Sequence, residues 1–224
     1  MKKFMILAAV AMLVGRASAA VRDTISLNTG WQFHLGELSG IEAVKNAKSE
    51  RVNLPHDFLI GQPWVEPDAS ERPDNSDEGS NVRSRLSPRG FKEMNVGWYR
   101  YVLTPKAEWK GRRVVLDFQG IMLVGDVWLN GKHIGKTDYG YLGFDTDISS
   151  ILKFDGDNEI IVKANTQQPN NSRWYTGGGL YRDVNLIVTD KKLYFPRHPL
   201  FIRTENNKKV KIQAEIACFN KVDN

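Results

Sequence analysis

The pair Asn130-Gly131 constrains the fold more than any other feature of the sequence. The run Val-Trp-Leu stands before it and Lys-His-Ile follows it. A type I′ turn needs positive φ at both central residues, and Asn-Gly between two β-prone runs is the strongest short-range signal for such a turn. Side chains alternate between the two faces of a strand, so one face of this hairpin is expected to lie in a core. The pair therefore predicts an antiparallel hairpin within a β-sandwich.

Further short β-prone runs are spread along the chain. They occupy residues 98–103, 113–118, 158–164 and 184–188. Helical periodicity is scarce, and many short strands at this spacing are typical of an antiparallel sandwich such as a jelly roll. We therefore predict an all-β chain in which residues 21–190 form a jelly-roll β-sandwich. About thirty residues cannot close a sandwich of their own, so residues 191–224 are expected to begin a second, incomplete one.

The first twenty residues have the three parts of a secretory signal peptide. Lys2 and Lys3 precede an apolar run at residues 4–14, and Ala-Ser-Ala at residues 17–19 follows as a cleavage site. The apolar run is too short to span a membrane. We therefore predict an exported protein, periplasmic or extracellular, without a membrane span. A short buried N-terminal helix is the alternative interpretation.

Removal of residues 1–20 would change the charge of the chain. The formal net charge is +5, and the loss of Lys2, Lys3 and Arg16 lowers it to +2. A nearly neutral chain is not typical of proteins that bind nucleic acid by charge. The sequence therefore predicts no nucleic-acid partner.

No pattern typical of a metal or cofactor site occurs in the sequence. The chain has four histidines, His34, His56, His133 and His198. None of them has the spacing of metal ligands, and the single Cys218 excludes a cysteine-based zinc site and an intrachain disulfide. Cys218 stands in an alternating run and is predicted to be a buried strand residue. We predict no metal and no cofactor.

Aromatic side chains are dense for a domain of this size. They include Trp98, Tyr99, Trp128, Tyr139, Tyr141, Trp174, Tyr175 and Tyr181. Aromatic rings suit the apolar faces of sugars, while amides, Arg and Asp bind the hydroxyls. Trp98, Trp128 and Tyr181 lie within strand patterns and are interpreted as core residues. Arg173 and Trp174 follow a polar loop, which makes them candidates for exposed sugar contacts.

Seven segments in order resemble the N-terminal sugar-binding domain of glycoside hydrolase family 2, which includes bacterial β-galactosidases and β-glucuronidases. They are Asn-Thr-Gly-Trp-Gln-Phe at 28–33, Leu-Pro-His-Asp-Phe at 54–58, Val-Gly-Trp-Tyr-Arg at 96–100, Val-Trp-Leu-Asn-Gly at 127–131, Gly-Tyr at 140–141 with Phe-Asp-Thr-Asp-Ile at 144–148, Asn-Glu-Ile-Ile-Val at 158–162, and Ser-Arg-Trp-Tyr at 172–175 through Gly-Leu-Tyr-Arg-Asp-Val at 179–184. The family usually has Trp at the position of Phe58.

The resemblance implies a galactose-binding-domain-like jelly roll followed by an immunoglobulin-like domain that residues 191–224 would begin. In the family, both catalytic glutamates of the retaining mechanism lie in a (β/α)₈ barrel that comes later. No segment of this sequence matches that barrel. The resemblance therefore implies no catalytic residue in this chain, and we expect the chain alone to be inactive.

The resemblance also implies which residues contact a sugar. Asn95 matches an asparagine that lines the terminal-sugar pocket in β-galactosidases. Ser172 stands where the family has an aspartate, so the adjacent Arg173 is the candidate donor to a hydroxyl. Asp57 lies in a family motif as a further candidate, and a turn-stabilising role is the alternative for it.

Three functions follow from these patterns. The first is the non-catalytic N-terminal part of a secreted β-galactosidase-like enzyme, which would act with its catalytic domain on terminal β-linked sugars. The second is an independent carbohydrate-binding module. The third is a structural interface domain without a ligand. A large exposed apolar face would favour the first or the third.

Overall fold

A computed structural model of the chain describes residues 22–65, 92–167, 175–205 and 209–218. The chain divides into two compact units, of which the larger is Thr24–Val188. The predicted signal peptide, Arg173 and Trp174 all lie outside the described residues. No described helix is both long enough and apolar enough to cross a bilayer.

Two sheets form the larger unit. The six-stranded sheet has the order β3-β2-β4-β9-β6-β7, and its pairings are antiparallel. Its strands are β2 (Trp31–Leu35), β3 (Glu50–Val52), β4 (Val96–Leu103), β6 (Val124–Leu129), β7 (Lys132–Thr137) and β9 (Asn158–Asn165). The second sheet has the order β1-β10-β5-β8, with β1 (Asp23–Ser26), β5 (Arg113–Phe118), β8 (Phe144–Asp147) and β10 (Val184–Thr189).

The predicted hairpin is present at Asn130-Gly131. These residues have φ values of 51° and 82°, and Leu129 pairs with Lys132 across the turn. Glycine tolerates positive φ without steric cost, and asparagine tolerates it better than most residues. The hairpin is thus formed for the reason that the sequence indicates.

The core lies between the two sheets and is built from alternate residues of each strand. Trp31, Tyr99, Phe118 and Leu129 are fully buried there. Burying a large apolar side chain contributes about 1.5–3 kcal/mol, so a cluster of this size dominates the stability of the unit. The buried indole of Trp31 keeps a hydrogen-bond partner, because its Nε1–H donates to the Leu27 carbonyl at 2.6 Å. The all-β sandwich predicted from the sequence is confirmed.

A second, smaller apolar cluster covers part of the outer face of the six-stranded sheet. The short helix α1 (Ile41–Val44) buries Val44 there, against Val96 and Trp98. The rings of Trp98 and Trp128 stack with centroids 6.0 Å apart. Trp98 is therefore buried, as expected, although it lies outside the space between the sheets.

The smaller unit consists of short strand pairs. β11 (Leu193–Tyr194) pairs with β14 (Ala217–Cys218), and β12 (Leu200–Glu205) pairs with β13 (Lys209–Ala214). The side chains of β12 and β13 are almost all exposed, including Ile202 and Ile212, which face each other. The immunoglobulin-like identity of this unit stays a prediction.

The prediction for Cys218 is wrong in one respect. Cys218 lies in a strand, but it is exposed. The alternating run that suggested burial is interrupted, because β13 ends at Ala214 and Cys218 belongs to a separate two-residue strand paired with Leu193. Alternation along a sequence indicates two faces and does not show that either face is covered.

Candidate functional site

A cleft of about 510 Å³ opens at one end of the larger unit. It is lined by the end of β2, the start of β3 and much of the segment at residues 55–62. This segment follows a cis Leu54-Pro55 peptide bond and contains a 3₁₀ turn at Phe58–Gly61. The cleft combines apolar side chains with the polar groups of His56, Asp57 and Gln62, which is the composition expected of a small-ligand site.

The Asp57 carboxylate joins two parts of the chain at this end. Its Oδ1 accepts hydrogen bonds from the Leu59 N–H at 3.0 Å and the Gly178 N–H at 2.8 Å. Its Oδ2 accepts one from the Tyr175 hydroxyl at 2.8 Å. The first bond caps the 3₁₀ turn, as aspartate commonly does at helix N-termini. Asp57 thus holds the glycine segment, residues 177–179, against the wall of the cleft.

The glycine segment requires glycine at two positions. Gly177 and Gly179 have φ values of 73° and 107°, which residues with a Cβ rarely adopt. A Cβ on Gly177 would lie 2.7 Å from Asp57 Oδ2, and one on Gly179 would collide with the Tyr99 hydroxyl. Close packing against Asp57 and Tyr99 therefore explains why glycines stand at these two positions.

Burial and, to a lesser degree, the same carboxylate raise the pKa of Tyr175. Burial contributes most to this shift, and the hydrogen bond to Asp57 and the charge of Asp57 add to it. Tyr175 is nevertheless 42% exposed, so its ring is accessible at the rim of this region.

His56 lines the cleft and forms a polar contact with Tyr99 of the core. Its Nδ1 lies 2.9 Å from the hydroxyl of the fully buried Tyr99. That hydroxyl also accepts from the Leu180 N–H at 3.4 Å, so its own hydrogen is available to His56 Nδ1. Neutral His56 then carries its hydrogen on Nε2. Burial lowers the pKa of His56, while the carboxylates of Glu50 and Asp57 oppose the shift. His56 is therefore suited to a neutral state in which Nδ1 accepts and Nε2–H donates.

Asn95 lies at the start of β4, close to the end of β9. Its backbone N–H donates to Thr166 Oγ1 at 3.0 Å, and its carbonyl accepts from the Thr166 hydroxyl at 2.7 Å. Its side-chain Oδ1 accepts from the Val96 N–H at 2.8 Å, and Nδ2 donates to Gln62 Oε1 at 3.4 Å. Both the backbone and the amide plane of Asn95 are therefore fixed before any ligand binds.

Trp64 and Lys92 extend this end of the unit beyond Gln62. They form an isolated antiparallel bridge, and the Lys92 ammonium lies 4.1 Å from the centroid of the Trp64 ring. Lys92 Nζ also donates to the Gln62 carbonyl at 2.8 Å. The Trp64 side chain is 73% exposed. This end of the unit therefore presents amides, a carboxylate, an imidazole and an exposed indole.

The structure brings together two of the four predicted sugar-binding residues. Asp57 stands at the start of the 3₁₀ turn, and the Asn95 amide contacts Gln62 just after its end. Arg173 and Trp174 lie outside the described residues, so their roles stay predictions. Sequence reasoning missed Gln62, Trp64 and Lys92, because no motif or periodic pattern in the sequence marks them.

Among the described residues there is no group of three or more His, Cys, Asp or Glu side chains that could hold a metal ion. Asp147 lies at the end of β8 in the four-stranded sheet, where it pairs with Arg113 at 3.0 Å and accepts from the Ser149 hydroxyl. The polar groups of the cleft, the Asn95 amide and the exposed Trp64 ring are together suited to binding polar, ring-shaped molecules through hydrogen bonds and stacking.

Comparison with known proteins shows which family this chain is similar to. Residues 91–186 match the model of the glycosyl hydrolase 2 galactose-binding domain-like family. The β-galactosidase BoGH2A of Bacteroides ovatus is 31% identical over 172 residues, which cover 75% of this chain and 18% of that protein. A β-glucuronidase of Bacteroides fragilis is 29% identical over 183 residues, covering 79% of this chain and 22% of the relative.

A solved structure gives the same result. The chain superposes on a β-glycosidase from Bacteroides vulgatus with a TM-score of 0.71 and 30% identity, over 89% of this chain and 25% of that one. The chain thus spans about a fifth of the length of these two curated relatives, 18% and 22%. The family-model match begins at residue 91, so it covers β4 to β9 and part of β10, and the residues that line the cleft come before it. This chain belongs to glycoside hydrolase family 2 and carries the galactose-binding domain-like sandwich of that family.

Proposed function

We propose that this chain forms one wall of the terminal-sugar pocket of a secreted, β-galactosidase-type glycoside hydrolase. The proposal is supported by the family, by the similarity to a β-galactosidase and by the polar cleft at one end of the larger unit. Because the chain spans only 18% of that relative, the catalytic activity is proposed for a protein in which this sandwich acts with a catalytic domain.

The observation that carries the proposal is the fixed amide of Asn95. Its Oδ1 and one Nδ2–H are held by Val96 and Gln62. The second Nδ2–H has no partner within the described part of the chain, so it is available to a sugar hydroxyl. A donor that is oriented before binding loses little conformational freedom when the ligand arrives. Asn95 therefore suits the recognition of one hydroxyl of a terminal sugar.

In the proposed function, Asp57 acts mainly by holding neighbouring residues in position. Its three hydrogen bonds keep the glycine segment and Tyr175 at the rim. Direct contact between Asp57 and a sugar stays a prediction, as do the contacts of Arg173 and Trp174.

Cleavage of a glycosidic bond needs two carboxyl groups that flank the scissile bond. Asp57 and Asp147 are already engaged in hydrogen bonds or ion pairs within the chain. We therefore assign a catalytic role to neither of these two aspartates. In the proposed function this chain binds and positions the sugar, and the catalytic domain supplies the acid and the nucleophile.

A β-glucuronide is the second candidate substrate, because a relative of 29% identity is named a β-glucuronidase. The two sugars differ in the group on C5, which is a hydroxymethyl in galactose and a carboxylate in glucuronic acid. A binding comparison between these two sugars therefore separates the candidates.

The test is ligand-observed NMR of the purified chain with methyl β-galactoside and methyl β-glucuronide. We expect Asn95→Ala to weaken galactoside binding about fivefold, since one lost hydrogen bond is worth about 1 kcal/mol. Asn46→Ala is the matched control, because Asn46 is exposed in the turn after α1. Equal binding by Asn95→Ala and wild type would contradict the proposed pocket. Preference for the glucuronide would select the second candidate.

Two further measurements test the remaining parts of the proposal. Purified chain should release no nitrophenol from nitrophenyl β-galactoside, and turnover would show that catalytic groups are present in it. N-terminal sequencing of protein from the culture medium or periplasm should begin at Ala20 or Val21 if the signal peptide is cleaved as proposed.

A further inference from the structure

We propose that Trp64 is an aromatic platform for the second sugar unit of a β-galactoside oligosaccharide, next to the unit contacted by Asn95. This inference rests on the proposed function and adds to it a preference for oligosaccharides over single sugars. Nothing in the family comparison or in the sequence motifs singles out Trp64.

The first observation is the exposure of the ring. Trp64 is 73% exposed, the highest value among the exposed large hydrophobic side chains of the described residues. Tryptophan has the largest apolar surface of any residue and is usually buried for most of it. Single exposed apolar side chains are nevertheless common on protein surfaces, so exposure alone does not indicate a site.

The second observation is that the ring is held in place from two neighbouring segments. The Trp64 and Lys92 backbones form an antiparallel bridge, and the Glu93 N–H donates to the Pro63 carbonyl at 3.1 Å. The Lys92 ammonium lies 4.1 Å from the ring centroid and is fixed in turn by the Gln62 carbonyl. A cation–π contact of this kind occupies one face of the ring. The opposite face is then the one that remains for a ligand.

The third observation is the position of the ring relative to Asn95. Gln62 contacts the Asn95 amide, and Trp64 follows Gln62 by two residues. Gln62 has extended backbone angles of −73° and 153°, and two extended residues span at most about 7 Å. The Trp64 Cα therefore lies within about 7 Å of the Gln62 Cα, and in the proposal the neighbouring unit of a sugar bonded to Asn95 extends past Gln62 to the Trp64 ring. The nearby Ile60, which is 67% exposed, adds apolar surface on the same segment.

The chemistry of a pyranose ring fits this surface. One face of β-galactose presents contiguous C–H groups, which pack against an aromatic ring, while its hydroxyls remain at the edge for polar partners. Trp64 offers the aromatic face, and Asn95 offers the amide. We therefore assign Trp64 a role in binding the sugar on the aglycone side of the terminal galactose.

The experiment is isothermal titration of the full chain with galactose and with β-1,4-galactotetraose. Wild-type chain should bind the tetraose more tightly than galactose. Trp64→Ala should weaken tetraose binding about tenfold, equal to about 1.4 kcal/mol, and change galactose binding by less than about twofold. Trp64→Phe, which keeps a smaller aromatic face, should recover part of the loss. Tyr139→Ala is the matched control, because Tyr139 is a 54% exposed aromatic residue in the loop after β7.

The possible outcomes separate this inference from the proposed function. Unchanged tetraose binding by Trp64→Ala, or tetraose binding no tighter than galactose binding in wild type, would overturn the platform. If Asn95→Ala retains galactose binding while Trp64→Ala still loses the tetraose, the platform stands and the proposed pocket fails. A wild-type chain that binds neither sugar contradicts both. A thermal midpoint equal to that of wild type shows that loss of binding in Trp64→Ala does not come from unfolding.

Discussion

Substitution of Asp57 tests whether one carboxylate holds the glycine segment against the cleft. In Asp57→Ala, the Leu59 N–H loses its cap, which costs about 1 kcal/mol in typical helices. The Gly178 N–H loses a bond to a charged acceptor, which is worth about 1.5 kcal/mol at the low end of the range for such bonds. The half-exposed Tyr175 hydroxyl can turn to water, so its loss adds only about 0.5 kcal/mol. We expect a total destabilisation of about 3 kcal/mol.

Asp57→Asn is the variant to compare with Asp57→Ala. An amide oxygen can still accept from both backbone N–H groups, and the Tyr175 hydroxyl can accept from the new NH₂ group. Hydrogen bonds to a neutral acceptor are roughly half as strong as those to a carboxylate, so we expect a loss of about 1 kcal/mol. Asp155→Ala, at an exposed turn position, should change stability by less than about 0.5 kcal/mol.

The assay is urea unfolding followed by tryptophan fluorescence, with the slope m compared between variants so that only changes in stability are scored. In a thermal scan, a loss of 3 kcal/mol corresponds to a fall in midpoint of about 6–12 °C for a domain of this size. If Asp57→Ala costs no more than Asp57→Asn, the carboxylate does not hold the glycine segment, and the account of this end of the sandwich is wrong.

Two further predictions concern the groups next to Asp57. Gly179→Ala should destabilise the larger unit by about 3 kcal/mol or more, because its Cβ would collide with the Tyr99 hydroxyl at a φ of 107°. Gly156→Ala, where a Cβ meets nothing within 4 Å, should change the urea midpoint little. The pKa of His56 is lower in the folded chain than in the unfolded chain, so the unfolded chain binds the proton more readily. The stability that neutral His56 allows above pH 6.5 is therefore lost as the pH falls below 6.5. His56→Gln should therefore flatten the dependence of the urea midpoint on pH between about 6.5 and 5, and an unchanged slope would show that another group titrates there.

The fold could be predicted from the sequence because its signals are local. The Asn130-Gly131 turn needs only two residues in a conformation that both tolerate, and the β-prone run at residues 113–118 predicts the bounds of β5, Arg113–Phe118. The burial of Cys218 could not be predicted in the same way. Whether a strand face is covered depends on other strands, and alternation carries no information about them.

The candidate site was only partly predictable because its contacts are long-range. Asp57 and Gly178 are 121 residues apart, and Asn95 and Gln62 are 33 residues apart. The family resemblance led to Asp57 and Asn95, since Asp57 lies in one of its motifs and Asn95 immediately precedes another. Gln62 and Trp64 lie between motifs, and only the folded chain shows that they meet Asn95 and Lys92.

The packing of Gly179 beneath the Tyr99 hydroxyl has an evolutionary consequence. Loss of the hydroxyl by Tyr99→Phe would leave His56 Nδ1 and the Leu180 N–H without their partner, while any side chain at position 179 would occupy the space of that hydroxyl. A Cβ at position 179 would also lie 2.9 Å from the His56 carbonyl oxygen, at a φ of 107° that favours glycine, so loss of the hydroxyl alone would not make room for a side chain. Among homologous sequences, position 179 should therefore remain glycine, while positions 56 and 99, which share a hydrogen bond, should change together.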